Sequence, residues 1–284
     1  MQDIQHRDIS LRGLSVHVAE AGEGPPLLLV HGFLVHHGEW LPVLPALAER
    51  FRCIAPDLPG FGQSDKRAPG HYPYTREAFA ETLDALLEEL SIEKAHVAGH
   101  SMGGSVALTL AADYPQRVDR LAVVDSACYP FPVPVKGRLP LLPLLGPLIF
   151  KRLYGRRLFR DYFANDVWSG HPGVDFAQVD AYYDAFANRE AKDAAYETLK
   201  NTVDLSSLGP KIPRVKADTL VLWGDEDRIF PPSLAHRLVR EIPEARLEML
   251  SGCGHAPNEE RPDETAALLL AHFGGASGTP ESPA

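Results

Sequence analysis

The chain is short of cysteine, of basic charge and of long apolar runs, and each shortage removes a class of function. Three cysteines, Cys53, Cys128 and Cys253, stand far apart among 284 residues, and none belongs to a Cys-x-x-Cys pair. That is too few and too scattered for a disulfide framework or a zinc site, and a reducing cytoplasm is the expected setting. Acidic residues outnumber basic ones, 38 to 28, for a formal net charge of −10. Nucleic acid, which needs a basic face on its partner, is therefore not expected to bind. No apolar run reaches the length of about 18 residues that a membrane-spanning helix needs. The opening residues, Met1 to Asp8, lack the basic start and apolar core of a signal peptide, which adds to the cytoplasmic expectation. No internal repeat is visible.

What is present is the composition of a globular protein, 45% hydrophobic and 23% charged. Alternation around Gly13 in Ile9-Ser10-Leu11 and Leu14 to Ala19 predicts an opening hairpin. Leu27 to Val30 and Arg52 to Pro56 read as strands buried on both faces. Helical spacing covers Trp40 to Arg50 and Thr75 to Leu90, the latter with Thr75 as its cap. A strand at Lys94 to Gly99, a helix from Met102 and a strand at Arg120 to Val124 follow. The rhythm then stops from Ser126 to about Lys216, about ninety residues and far beyond an ordinary connection; this stretch is proline-rich at first and then helical around Ala177 to Phe186 and Glu190 to Asn201. It resumes with a strand at Thr219 to Trp223, a helix at Pro232 to Glu241, a strand at Arg246 to Leu250 and a helix at Pro262 to Phe273.

Repeated strand–helix units imply an α/β class protein with a doubly wound, mostly parallel sheet of about eight strands, its ligands held at the strands' carboxyl ends. The interruption reads as a helical cap inserted over that edge. The expected divisions are a first core part at 1–126, the cap at 127–216, a second core part at 217–273 and a disordered tail at 274–284.

Gly99-His100-Ser101-Met102-Gly103 lies where a strand passes abruptly into a helix. A serine there, flanked by glycines, forms a nucleophile elbow: the tight turn leaves no room for flanking side chains and lifts the hydroxyl clear. A serine needs a base, and the base needs an acid. Asp225, Glu226 and Asp227 follow one later strand, and His255 follows the next. Asp125, after the sixth strand, is a rival acid.

With these residues in hand, the chain resembles the α/β-hydrolase fold family from about residue 10 to residue 273, the cap excepted. His31-Gly32-Phe33 resembles the family's oxyanion-loop motif, and Asp57 to Ser64 its strand-four loop. Gly224 to Asp227 and Gly254-His255-Ala256-Pro257 resemble its acid and histidine motifs. The resemblance implies that Ser101 is the nucleophile, His255 the base and Asp227 the acid, with the amides of Phe33 and Met102 as the oxyanion hole. It implies no cofactor and no metal. His31 is expected to brace the oxyanion loop and Asp57 to tie down loops. His36 and His37 have no evident partner.

Serine at 101 disfavours the haloalkane dehalogenases and epoxide hydrolases of this fold, whose nucleophile is aspartate. Carbon–carbon bond hydrolases of the family usually carry a Gly-Pro-Gly-like oxyanion loop, where this chain has Phe33-Leu34-Val35. The expected activity is hydrolysis of a carboxylic ester with a small to medium apolar acyl group. A carbon–carbon bond hydrolase or related lyase, a cofactor-free haloperoxidase or perhydrolase, and a non-catalytic ligand receptor are the alternatives. His100, Phe150, Tyr154, Phe163 and Trp168 are candidates to contact substrate. From Cys128 to Arg160 there are seven basic residues, no acidic one, and many leucines. Either this stretch meets an acyl chain or an anionic lipid surface, or its apolar face covers the pocket while its basic face pairs with the acidic core.

Overall fold

A computed structural model describes residues 3–131 and 138–275. Eight strands form one sheet: β1 (Gln5–Leu11), β2 (Leu14–Ala21), β3 (Pro26–Val30), β4 (Arg52–Pro56), β5 (Ala95–His100), β6 (Val118–Val124), β7 (Asp218–Gly224) and β8 (Ala245–Leu250). Their spatial order is β1-β2-β4-β3-β5-β6-β7-β8. The opening hairpin pairs antiparallel, and β2 runs antiparallel to β4. Every later pairing is parallel.

The strand sequences explain the layers. Successive side chains of a strand point to opposite faces. Thus Leu28 and Val30 enter one apolar cluster, with Val97, Val123 and Val221, while Leu27 and Leu29 enter another, with Trp40, Val124 and Phe273. Both faces are covered, so the central strands are apolar at nearly every position.

Helices α1 (Arg76–Glu89) and α2 (Met102–Asp113) precede the long insertion. Thr75 caps α1, its hydroxyl accepting the Ala78 N–H at 3.2 Å. The expected helix over 40–50 is replaced by a 3-10 turn at His37–Trp40 and one helical turn at Leu44–Leu47. Pro42 and Pro45 carry no N–H, so a continuous ladder could not close there. Helices α6 (Ser233–Glu241) and α7 (Pro262–Gly274) complete the sheet's flanks. Gly274 closes α7, and residues 276–284 of the expected tail lie outside the described residues.

Between β6 and β7 the chain forms α3 (Arg156–Tyr162), α4 (Phe176–Phe186) and α5 (Arg189–Thr202), with wide turns at Ile149–Leu153 and Phe163–Val167. This insertion rests on the loops at the strands' carboxyl ends. The Val167 carbonyl accepts the His255 N–H at 2.7 Å, and Ser169 Oγ donates to the Glu226 carbonyl at 2.7 Å. Arg76, at the head of α1, donates to the carbonyls of Thr202 and Asp204. Three basic residues of the insertion find their acids inside it: Lys151 on Asp193, Arg156 on Asp180 and Asp184, and Arg160 on Asp180. These pairings run to α4 and α5 and not to the acidic core, the partner that one of the two readings gave this stretch. Lys136 lies outside the described residues. Among the described residues, no helix is long and apolar enough to cross a membrane.

Candidate active site

Ser101 sits between β5 and α2 with φ 54° and ψ −117°, a conformation a non-glycine residue holds only under constraint. Its own N–H donates to the Val124 carbonyl at 2.9 Å, and its carbonyl accepts the Ala127 N–H at 3.1 Å. The two glycines make this turn feasible. A Cβ at Gly99 would stand 2.3 Å from the Gly103 carbonyl oxygen, and one at Gly103 would stand 2.2 Å from that of Val30. Strand and helix therefore touch backbone to backbone, as the sequence pattern requires.

Loops from two further strand ends, those of β7 and β8, complete the group. His255 Nε2 lies 2.9 Å from Ser101 Oγ, and His255 Nδ1 lies 2.9 Å from Asp227 Oδ2. With Nδ1 protonated toward the carboxylate, Nε2 offers a lone pair to the serine hydroxyl. Asp227 Oδ1 accepts the N–H groups of Ile229 and Phe230 at 2.7 and 3.0 Å. Burial works against its charge, but the His255 ring and these bonds outweigh it and hold the carboxyl below its usual range. The line Asp227–His255–Ser101 can take a proton from Oγ as that oxygen attacks.

Asp125 is not the partner of the histidine. It is fully buried behind Asp227, with Oδ1 accepting the Gly224 N–H at 3.1 Å. Burial and the Asp227 charge push its carboxyl well above the usual range, toward the protonated form.

Phe33 lies in the loop after β3 and Met102 opens α2 directly after Ser101, and a Cβ at Gly32, beside Phe33, would stand 3.3 Å from Ser101 Cβ. The Phe33 loop is pinned from below. Gly32 N–H donates to Glu39 Oε1 at 3.0 Å, His31 Nδ1 donates to the Gly32 carbonyl, and His31 Nε2 accepts the Leu58 N–H at 2.8 Å. Glu39 Oε2 also meets His100 Nδ1 at 3.0 Å, while His100 Nε2 reaches the His255 carbonyl at 2.7 Å. Both partners of His100 are acceptors, so both its nitrogens carry protons. Burial opposes that charge, but Glu39 prevails and raises the ring to about 8. His100 thus spends both nitrogens on the protein, fixing the carbonyl of the residue that serves Ser101.

Of the aromatic candidates, Phe150 comes nearest the oxyanion loop, its ring stacked on Phe33 with centroids 6.3 Å apart. Tyr154 stacks behind Phe150 at 6.0 Å. Phe163 packs on Phe159 and Tyr182. Trp168 Nε1 donates to Glu259 at 3.4 Å. Glu259 also accepts the Tyr182 hydroxyl at 2.5 Å, and burial raises its carboxyl to about 7. Phe230, not singled out from sequence, lies edge-on to the His255 ring at 5.3 Å. An apolar cleft lined by Leu34, Val35, Phe61, Tyr182 and Phe186 opens where the oxyanion loop meets the insertion.

Glu39 and the partners of His36 and His37 were also missed. Glu39 is one carboxylate beside Trp40 in an unremarkable stretch, and only the folded loop brings it under Gly32. His37 donates both its N–H and its ring Nδ1 to Asp57 Oδ1, and His36 caps the turn by accepting the Gly38 N–H. Asp57 does tie loops together, since it also accepts the Gln63 N–H at 2.7 Å.

A family model described as alpha/beta hydrolase fold matches residues 25–262. The 2-hydroxymuconate semialdehyde hydrolase of Pseudomonas sp. (strain CF600) is 30% identical over 275 residues, covering 93% of this chain and 92% of that protein. The structure of a 2-hydroxy-6-oxo-6-phenylhexa-2,4-dienoate hydrolase from Rhodococcus sp. strain RHA1 superposes with a TM-score of 0.82 at 29% identity, covering 97% of this chain and all of that one (100%). A bacterial membrane phospholipase A superposes with a TM-score of 0.81 at 28% identity, covering 96% of this chain and 86% of that one.

Proposed function

The chain belongs to the α/β-hydrolase fold family, and from that membership we propose that it is a serine hydrolase that cleaves a carboxylic ester of a small to medium apolar acid. The observation that carries the reading is the continuous line from Asp227 through His255 to Ser101, with both contacts at 2.9 Å. Ser101 Oγ attacks the carbonyl carbon as His255 takes its proton. The amides of Phe33 and Met102 receive the oxyanion. His255 then protonates the departing alcohol, and a water activated by the same ring cleaves the acyl-enzyme.

The surroundings support an apolar substrate. Phe33, Phe150 and Phe230 supply ring faces and edges near the reacting groups and no charge to pair with a carboxylate. The cap's outer face supports contact with an anionic lipid surface. Leu139, Leu142, Leu144, Leu145, Leu148, Leu153 and Leu158 are all exposed, with Arg152 and Arg157 exposed among them. A cytoplasmic setting is part of the same proposal and rests on the three unpaired, buried cysteines.

A second reading, carbon–carbon bond hydrolysis on the same residues, is favoured by the hydrolases of dienoates and semialdehydes that match along nearly the whole chain. A panel of p-nitrophenyl esters of graded chain length, assayed beside a 2-hydroxy-6-oxodienoate, separates the two. The expected result is turnover of the esters, best at medium length, and a fall in kcat on the order of a million-fold in Ser101→Ala. Turnover of the dienoate alone would establish the second reading. Full activity in Ser101→Ala would overturn both.

A further inference from the structure

Three histidines that the reaction does not use converge at the outer edge of the sheet. His6 comes from β1, His17 from β2 and His37 from the turn that follows the oxyanion loop. Ring centroids lie 5.3 Å apart for His6 and His17, 5.3 Å for His6 and His37, and 5.5 Å for His17 and His37. One ring nitrogen of each lies within 4.8 Å of the other two.

The hydrogen bonds decide which nitrogens carry lone pairs. His17 Nδ1 is 2.8 Å from Asp8 Oδ1, and His37 Nδ1 is 2.8 Å from Asp57 Oδ1. A carboxylate only accepts, so each Nδ1 holds its proton and each Nε2 keeps a lone pair. His6 Nδ1 stands 3.1 Å from His17 Nε2, and the Gln63 amide stands 3.2 Å from the same nitrogen. A carboxylate behind an imidazole fixes its tautomer, the arrangement that supports metal-binding histidines. Here two of three rings have one. Asp57 is already engaged by His37 and Gln63, which places it behind the rings. His17 and His37 are buried, whereas His6 is exposed and leaves a path from solvent.

We propose that His6 Nδ1, His17 Nε2 and His37 Nε2 bind a divalent transition metal of the zinc class, with the Gln63 amide oxygen or water as a fourth ligand. Imidazole nitrogens suit zinc, nickel and copper, and tetrahedral zinc sets its ligand nitrogens about 3.4 Å apart. The His6–His17 separation is already close to that. An amide flip of Gln63 exchanges nitrogen for oxygen at little steric cost. On binding, the proton on His6 Nδ1 moves to its exposed Nε2, and His17 and His37 release none. The metal takes no part in hydrolysis. It clamps the β1–β2 hairpin to the segment behind the oxyanion loop.

Zinc titration of the metal-free full-length protein by calorimetry tests the site, with Mg2+ as the comparison ion. Wild type and the distant surface variant His236→Gln are expected to take up one equivalent of zinc and no magnesium. His6→Gln, on an exposed side chain, should bind at least about tenfold more weakly, and Asp8→Asn about tenfold more weakly. Cobalt(II) should give visible absorption bands of a tetrahedral site in wild type that His6→Gln loses. Ester hydrolysis by metal-free His6→Gln should equal that of wild type. Absence of stoichiometric zinc uptake by wild type, or wild-type uptake by His6→Gln, would overturn the proposal.

Discussion

Asp125 illustrates how much a single buried proton can decide. Its Oδ2 is sealed from solvent and meets no N–H group, and its carboxyl is close to that of Asp227. Two carboxylates so placed cannot both ionise, so one proton is retained on Asp125, whose site offers it less compensation. In that state Asp125 is a donor that holds Asp227 charged and oriented. An asparagine keeps a donor in the same place, whereas an alanine leaves none. Asp125→Asn should therefore retain kcat within about tenfold, while Asp125→Ala should lose on the order of a hundredfold, the scale of one hydrogen-bond donor lost at a developing charge. Steady-state kinetics on the two purified variants tests this, and equal losses in both would dismiss the donor role.

At the scale of elements, the insertion carries the sharpest contrast between inside and outside. Phe150, Phe159 and Phe163 are buried, while Leu144 is 94% exposed and Leu153 61% exposed. Flotation with vesicles containing an anionic phospholipid at low salt should carry the wild-type protein. Replacing Leu144 and Leu153 together by Asp should weaken that binding at least about tenfold, since each buried leucine contributes roughly 2 kcal/mol. Raising the salt should weaken it further by screening Arg152 and Arg157. A protein that stays unbound at low salt has no such surface. The insertion was also where sequence patterns carried least. Central strands were legible because burial on both faces writes an uninterrupted apolar run, as in Leu27 to Val30. The elbow was legible because backbone contact at Gly99 and Gly103 admits one residue type. The insertion's α4 and α5 follow helical spacing and were legible, but α3 is only seven residues long, and the turns at Ile149–Leu153 and Phe163–Val167 widen beyond helical spacing. Periodicity cannot place such elements. Nor could it place Glu39 or the histidine cluster, whose members meet only through strand pairing and loop closure.

At the scale of the whole molecule, the ion pair of His100 and Glu39 makes stability depend on pH. The folded ring is raised to about 8 from an ordinary 6.5, so the stabilisation is full below about 6.5 and is lost as pH rises through 8. Its size is about 2 kcal/mol. Glu259, raised to about 7 by burial, tilts the same way, its contribution fading as pH rises through that value. Melting temperature should therefore fall between pH 6.5 and 8 in wild type and fall less steeply in His100→Gln. Parallel curves for the two proteins would remove the ion pair as the cause. The contacts around Glu39 have another consequence. Asn258 donates to the Glu39 carbonyl across 219 residues of chain, and Ser101 waits 154 residues for His255. During synthesis on the ribosome, Ser101 in its strained turn is thus made long before the histidine that faces it, and the two can meet only after 154 further residues have been added.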